Sequence, residues 1–290
     1  MAIWMALAST TGLAVGTGLF YRYRRKRTAL YRELAQRRTG MIRGREIQIA
    51  AGDRFAELAE QFTADPIIRV PDFLTPESLT RIREEALGLR PEVERSYIPG
   101  HKQGGTVCYE KLHRLAPECM AVYHSQALAD WIGRVVGLPV VPTCDHDQSS
   151  CSLLCYDRAG DHIGWHYDHN FYRGRHFTVL LSLVNRAGAA TAVTAGIGSG
   201  SSIPGEPPCP AASLLQRRLG NQAVSLDTAE NVLVLFEGAR VRHRVTANDP
   251  DDLRVVLSMT YCTNPSIAWP KELARRVKEI GFYGLRALWD

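Results

Sequence analysis

Between Leu153 and Asn185 the chain reads LLCYDRAGDHIGWHYDHNFYRGRHFTVLLSLVN. Two apolar runs, SLLCY and FTVLLSLV, flank a polar stretch centred on His166-Tyr167-Asp168. Successive side chains of a strand point to opposite faces, so His166 and Asp168 share one. The pattern continues downstream. The run NVLVLF leads through a Glu-Gly turn to His243, 77 residues after His166, and Arg254 opens a last run, LRVVLSMTYC. Short apolar runs separated by turn residues predict a mainly β domain, a barrel or sandwich with flanking helices. One domain is expected, because residues 166 to 254 have to converge for these groups to act together.

The residue types limit the chemistry. Two imidazoles and one carboxylate form the three-ligand set that binds non-haem Fe(II) and leaves other positions open. An arginine one strand further on can grip a carboxylate through two parallel hydrogen bonds. His-x-Asp alone is a weak signal, and its weight comes from the order of parts: His-x-Asp between strands, then a strand and His243, then a strand carrying Arg254.

In that order, and in the local pattern Tyr156-Asp-Arg-Ala-Gly160-Asp-x4-His166-x-Asp168, the sequence resembles the Fe(II)/2-oxoglutarate-dependent dioxygenases, on their prolyl-4-hydroxylase-like branch. The resemblance spans roughly residues 67–261. It implies a double-stranded β-helix, the jelly-roll or cupin-like barrel, with Fe(II) held by His166, Asp168 and His243. It implies 2-oxoglutarate (2OG) gripped at its distal carboxylate by Arg254, with Tyr156 as a second donor, and O2 as co-substrate, with ascorbate as an optional reductant. The implied reaction hydroxylates a substrate, a protein prolyl or other residue, with release of succinate and CO2. A lipid or small-molecule hydroxylase of the same chemistry, and a non-catalytic metal-binding jelly-roll module, stay open beside it. Thr178, Arg175 and Asn170 are weaker candidates near the triad, while Ser258 shares the Arg254 face but lies too far along the strand to reach the same carboxylate.

The net charge of +5 conceals a division. Residues 21–45 carry ten Arg or Lys against Glu33, so the rest of the chain is mildly acidic, which argues against a nucleic-acid surface there. Seven cysteines without CxxC or zinc-like spacing read as buried thiols in a reducing compartment. Residues 1–20 hold no charged side chain and are followed at once by YRYRRKR. As a helix they would rise about 30 Å, so they are expected to form a single-pass transmembrane anchor with the catalytic domain facing the cytosol, a targeting peptide being the alternative. Residues 21–50 are then an exposed basic stem, and residues 51–290 the dioxygenase domain.

Within that domain, helices are expected over 51–63, from Thr75-Pro76 to about Gly88, over 116–137 and within 266–281, with a strand at Ile67-Ile68-Arg69-Val70. Residues 91–117 read as loop-like with strand fragments, and the histidines within them, His101 and His113, as ordinary surface or structural groups. Residues 186–213, rich in Ala, Gly, Ser and Pro, read as a flexible insert or a substrate-side lid. Residues 214–219 suggest a helical turn before a strand at 223–226.

Overall fold

The computed structural model describes residues 32–145, 147–187 and 214–267, with single positions between 25–29 and 271–278. The anchor proposed for residues 1–20, His146 and almost all of the 186–213 insert lie outside the described residues. Among the described residues no helix is long and apolar enough to cross a membrane.

Among the described residues, 32–42 are helical, and five named helices lie ahead of β4: α1 (Phe55–Ala64), α2 (Pro76–Gly88), α3 (Tyr109–Leu115), α4 (Pro117–Tyr123) and α5 (Gln126–Val136). The Thr75 side chain caps α2 by accepting from the Ser78 N–H, with Pro76 in the first turn. The helix expected over 116–137 is two helices. Ser125 adopts an extended conformation and its hydroxyl accepts from the Leu128 N–H, which starts α5 anew.

Twelve strands follow the chain order β1 (Ile67–Val70), β2 (Glu94–Ile98), β3 (Lys102–Val107), β4 (Val141–Pro142), β5 (Cys151–Tyr156), β6 (His162–His166), β7 (His176–Arg186), β8 (Leu215–Leu219), β9 (Gln222–Leu226), β10 (Leu233–Phe236), β11 (His243–Val245) and β12 (Leu253–Cys262). They pair in the order β1-β10-β7-β12-β5-β3-β6-β11-β8-β9, with β2 on β3 and β4 on β12. Every pairing is antiparallel. The sheet curls on itself, since residues of β3, β5, β6, β7, β10, β11 and β12 line one cavity.

The period-2 rule accounts for how β12 and β5 serve two faces. On β12, Val255, Leu257, Met259 and Tyr261 join the core beneath the helices, as do Cys151, Leu153 and Cys155 of β5. The intervening Arg254, Val256, Ser258 and Thr260, with Ser152, Leu154 and Tyr156, line the cavity. Both faces are covered, so a run that alternates in chemistry is buried almost throughout.

Three expectations change. The strand fragments expected within 91–117 are the full strands β2 and β3, and α3 follows them where a loop was expected. Residues 215–219 form β8, paired with β9 across a Gly220-Asn221 turn in which Gly220 takes the left-handed conformation that two-residue hairpins require. The stem is not exposed along its whole length. Leu34 and Ile47 are buried in the helix-side core, Ile49 bridges Leu74, and Arg38 pairs with Asp145. Residues 34, 38, 47 and 49 of the expected stem therefore pack against the domain.

Candidate metal and 2-oxoglutarate site

The two histidines meet because of strand register. His166 ends β6, His243 begins β11, and the two are direct cross-strand partners. Their ring centroids lie 4.2 Å apart. Asp168 follows β6, and its Oδ1 sits 3.6 Å from His166 Nε2 and 3.7 Å from His243 Nε2. One ligand atom from each of the three residues lies within 4.8 Å of the others.

The tautomers suit metal binding. His166 Nδ1 lies 2.8 Å from the Gly164 carbonyl oxygen, and His243 Nδ1 lies 3.0 Å from that of Val241. A carbonyl only accepts, so each Nδ1 carries a proton and each Nε2 is the atom left to face Asp168 and a shared ion. Burial would raise the Asp168 carboxyl. His243, His166 and the Thr178 hydroxyl outweigh it and hold the group well below the usual carboxylate range. Burial also keeps His243 below the ordinary histidine value, against the pull of Asp168. An ion is held when Asp168 is ionised and both Nε2 atoms are free of protons, and the Nδ1 contacts leave those atoms facing the shared position.

Asp168 is fixed from two sides. Its Oδ2 accepts from Thr178 Oγ1 at 2.6 Å, and its N–H donates to the Gly238 carbonyl at 3.0 Å. A Cβ on Gly238 would fall 2.3 Å from Asp168 Oδ2 and 2.5 Å from its Cβ, so only glycine allows this approach. Thr178 thus holds the candidate ligand Asp168. Arg175 pairs with Glu237 at 2.8 Å, and the Asn170 side chain closes its own loop on Gly174 O and Tyr172 N.

Arg254 and Tyr156 are partners across β12 and β5, with the guanidinium carbon 5.5 Å from the ring centroid. Arg254 is 1% exposed. Among the described residues, neither its Nε nor its Nη1 has a hydrogen-bond partner, and neither has the buried Tyr156 hydroxyl. Burial depresses the guanidinium below its ordinary value, partly offset by Tyr156, and pushes the Tyr156 phenol up to about 12. An unmatched buried cation costs several kcal/mol, so this end of the cavity calls for an anion with paired acceptors. The donor set and the orphaned arginine together fit Fe(II) and a 2-oxo dicarboxylate. Ser258 lines the same cavity further along β12.

Sequence reasoning passed over Gly238, Lys102 and His176, and read His101 as an ordinary surface or structural group rather than a substrate contact. The His101 ring stands edge-on to His166 with centroids 5.7 Å apart, and all three side chains line the cavity. Only the Gly100-His101 turn after a short strand marked this hairpin in the sequence.

Comparison with known proteins agrees with this geometry. A family model described as Halogenase D matches residues 50–173, and no curated protein matches the sequence. Among solved structures, an oxidoreductase of the 2OG-Fe(II) oxygenase family from Burkholderia pseudomallei superposes with a TM-score of 0.54 at 14% identity, over 77% of this chain and 99% of that one. A prolyl hydroxylase from Trichoplax adhaerens, in complex with a hypoxia inducible factor peptide, gives 0.54 at 16% identity over 72% and 89%. The chain shares the fold of these 2OG-Fe(II) oxygenases. A third member of that fold, the epimerase SnoN from nogalamycin biosynthesis in complex with Fe3+ and α-ketoglutarate, gives 0.54 at 14% identity over 72% and 83%. In this chain the triad stands where β6 ends and β11 begins, and Arg254 lines the same cavity from β12.

Proposed function

We propose that this protein is an Fe(II)- and 2OG-dependent oxygenase that hydroxylates a substrate and releases succinate and CO2. The observation that carries the reading is Arg254, a buried guanidinium with unmatched donors in the cavity that also holds His166, Asp168 and His243. A metal-binding module without catalysis has no physical need for that fourth group. His166, Asp168 and His243 hold the ion on one side, and Arg254 with Tyr156 receives the distal carboxylate of 2OG. Bound iron supplies O2 activation coupled to oxidative decarboxylation of 2OG. The residues around it orient the partners: Thr178 and the Gly238 carbonyl fix the carboxylate ligand, while Leu154, Leu180 and Val256 line an apolar wall that limits water.

The test is succinate formation from 2OG by purified protein with Fe(II), ascorbate and O2. Turnover is expected in the wild type and absent in His166→Ala. Equal succinate from both would end this reading. Comparing oxidised metabolites and peptides between wild-type and His166→Ala cells then identifies the substrate.

We further propose that residues 1–20 anchor the protein in a membrane with the catalytic domain facing the cytosol. Support comes from the uncharged run and the basic residues directly after it. Protease accessibility of residues 51–290 in intact membrane fractions tests the orientation.

A further inference from the structure

The turn between β10 and β11 serves two of the three candidate ligands. The Gly238 carbonyl accepts from the Asp168 N–H, and the Val241 carbonyl accepts from His243 Nδ1. Glu237 closes this turn. Its carbonyl accepts from the Arg240 and Val241 N–H groups at 2.8 and 3.1 Å, and its own N–H donates to the Pro66 carbonyl ahead of β1 at 3.0 Å. The turn has to stand correctly against β7 as well, because Thr178 of β7 holds the other side of Asp168. The β7–β10 ladder ends at the pair Thr178–Phe236. Past that pair, the two chains are joined by the side chains of Arg175 and Glu237.

Arg175 grips Glu237 through two bonds, Nη2 to Oε2 at 2.8 Å and Nε to Oε1 at 3.2 Å. Paired bonds of this kind fix direction as well as distance. Arg240 Nη1 adds a third bond, to Oε2, at 3.2 Å. Burial pushes the Glu237 carboxyl up, but Arg175 and Arg240 outweigh it and hold the group below the usual carboxylate range. Arg175 is itself tied down. Its N–H donates to Thr263 Oγ1 at 3.0 Å, and its carbonyl accepts from the Thr263 N–H at 3.1 Å, directly after β12. Its guanidinium carbon lies 5.1 Å from the Phe177 ring centroid.

An exposed ion pair contributes little to stability. What distinguishes this pair is where it ends. It links a segment anchored on β12 to the turn whose carbonyls hold Asp168 and His243, so a small displacement there reaches two ligands together.

We propose that Arg175 and Glu237 are positioning residues for the metal centre, setting the place of the 237–241 turn and through it the aim of Asp168 and His243. This rests on the oxygenase reading, in which those two residues and His166 hold the ion.

The test is titration calorimetry of the full chain with Co(II), with the visible absorption of the bound ion recorded on the same samples. Arg175→Met and Glu237→Gln, each with an intact melting transition, are expected to lose about fivefold in affinity, less than the 10- to 100-fold that follows loss of a group touching a ligand. Their Co(II) bands should shift, because the ligand geometry changes. The double variant should lose no more than the weaker-binding single one, since either change breaks the same pair. Should Arg175→Met fail to fold, Arg175→Lys keeps the charge without the paired bonds and is expected to show the same shift. Arg114→Met is the control. The Arg114–Glu110 pair on α3 is of similar exposure, at 2.7 Å, and neither residue lines the cavity, so affinity and spectrum should stay as in the wild type. The proposal is overturned if both single variants bind Co(II) within about twofold of the wild type with an unchanged band, if their losses multiply in the double variant, or if Arg114→Met loses as much. A wild-type protein that binds no Co(II) would overturn the metal site itself, and so tells failure of the oxygenase reading from failure of the clamp.

Discussion

Replacing Gly238 with alanine tests the metal site at a residue that ligates nothing. The new methyl would sit 2.5 Å from Asp168 Cβ and 2.3 Å from Oδ2, where ordinary contact begins at 3.4 Å. The carboxylate oxygen alone can swing aside, but the Asp168 Cβ cannot move without the backbone. The two segments would have to part by about 1 Å, stretching the 3.0 Å hydrogen bond from Asp168 N to Gly238 O beyond bonding length. That bond is worth about 1 kcal/mol in stability. The larger effect is on the ion. Disturbing a group that merely supports a ligand costs about 10- to 100-fold in metal affinity, and here the ligand itself is displaced. A loss of about 100-fold or more, near 3 kcal/mol, is expected for Co(II) measured by titration calorimetry. Gly104→Ala is the control, because its methyl would lie 3.6 Å from the Tyr156 ring, an ordinary contact. If Gly238→Ala binds Co(II) within threefold of the wild type while folded, the clamp described for Asp168 is wrong.

Thr178→Val removes the hydroxyl bonded to Asp168 Oδ2 and should lower Co(II) affinity by about tenfold, read by the same titration. Arg254→Met should weaken 2OG binding to the metal-loaded protein by about 100-fold while leaving the melting temperature of the metal-free protein equal or higher, because an unmatched buried charge is removed. A lower melting temperature with unchanged 2OG affinity would mark Arg254 as structural. Lys102 predicts a pH effect. Its folded amine is lowered to about 8, against 10.5 ordinarily. Between those values the unfolded chain binds the extra proton, so wild-type stability should rise with pH across that window. Lys102→Met should abolish this rise and stabilise the protein at pH 7 by up to roughly 3 kcal/mol, measured by urea denaturation across pH.

The parts legible in the sequence were those with short-range signatures. Alternation in SLLCY and LRVVLSMTYC marked β5 and β12, and the parity of the same strands aimed Tyr156 and Arg254 inward. Thr75-Pro76 announced α2 through its capping chemistry. Failures have equally local causes. Leu-Gln-Arg-Arg-Leu in β8 lies beside the sheet edge, so its arginines are partly solvated and its strand pattern is masked, although Gly220-Asn221 was a usable hairpin signal. The break before α5 turned on a single capping serine inside an otherwise continuous apolar periodicity.

What no local pattern encodes is contact across the chain. Gly238 looked like an ordinary turn residue, and its importance comes from Asp168, seventy positions earlier, lying against it. Leu34 and Ile47 were hidden among arginines, and their burial depends on a core assembled mostly from later residues. Nothing local in the sequence singles out Lys102, whose burial follows from β3 running between β5 and β6 with that side chain turned inward.

Antiparallel pairing of His166 with His243 has a consequence for how the protein lives with its metal. The donors stand in place through strand pairing, imidazole contacts to backbone carbonyls and the Thr178 hydroxyl, none of which needs the ion, so emptying the site should leave a folded apoprotein that can be reloaded. Such a rigid nitrogen-and-oxygen cradle also discriminates poorly among divalent ions, and by intrinsic affinity Zn(II) or Ni(II) would displace Fe(II). Occupancy is then governed by which ion the surroundings supply, and activity should track iron availability reversibly, without turnover of the polypeptide.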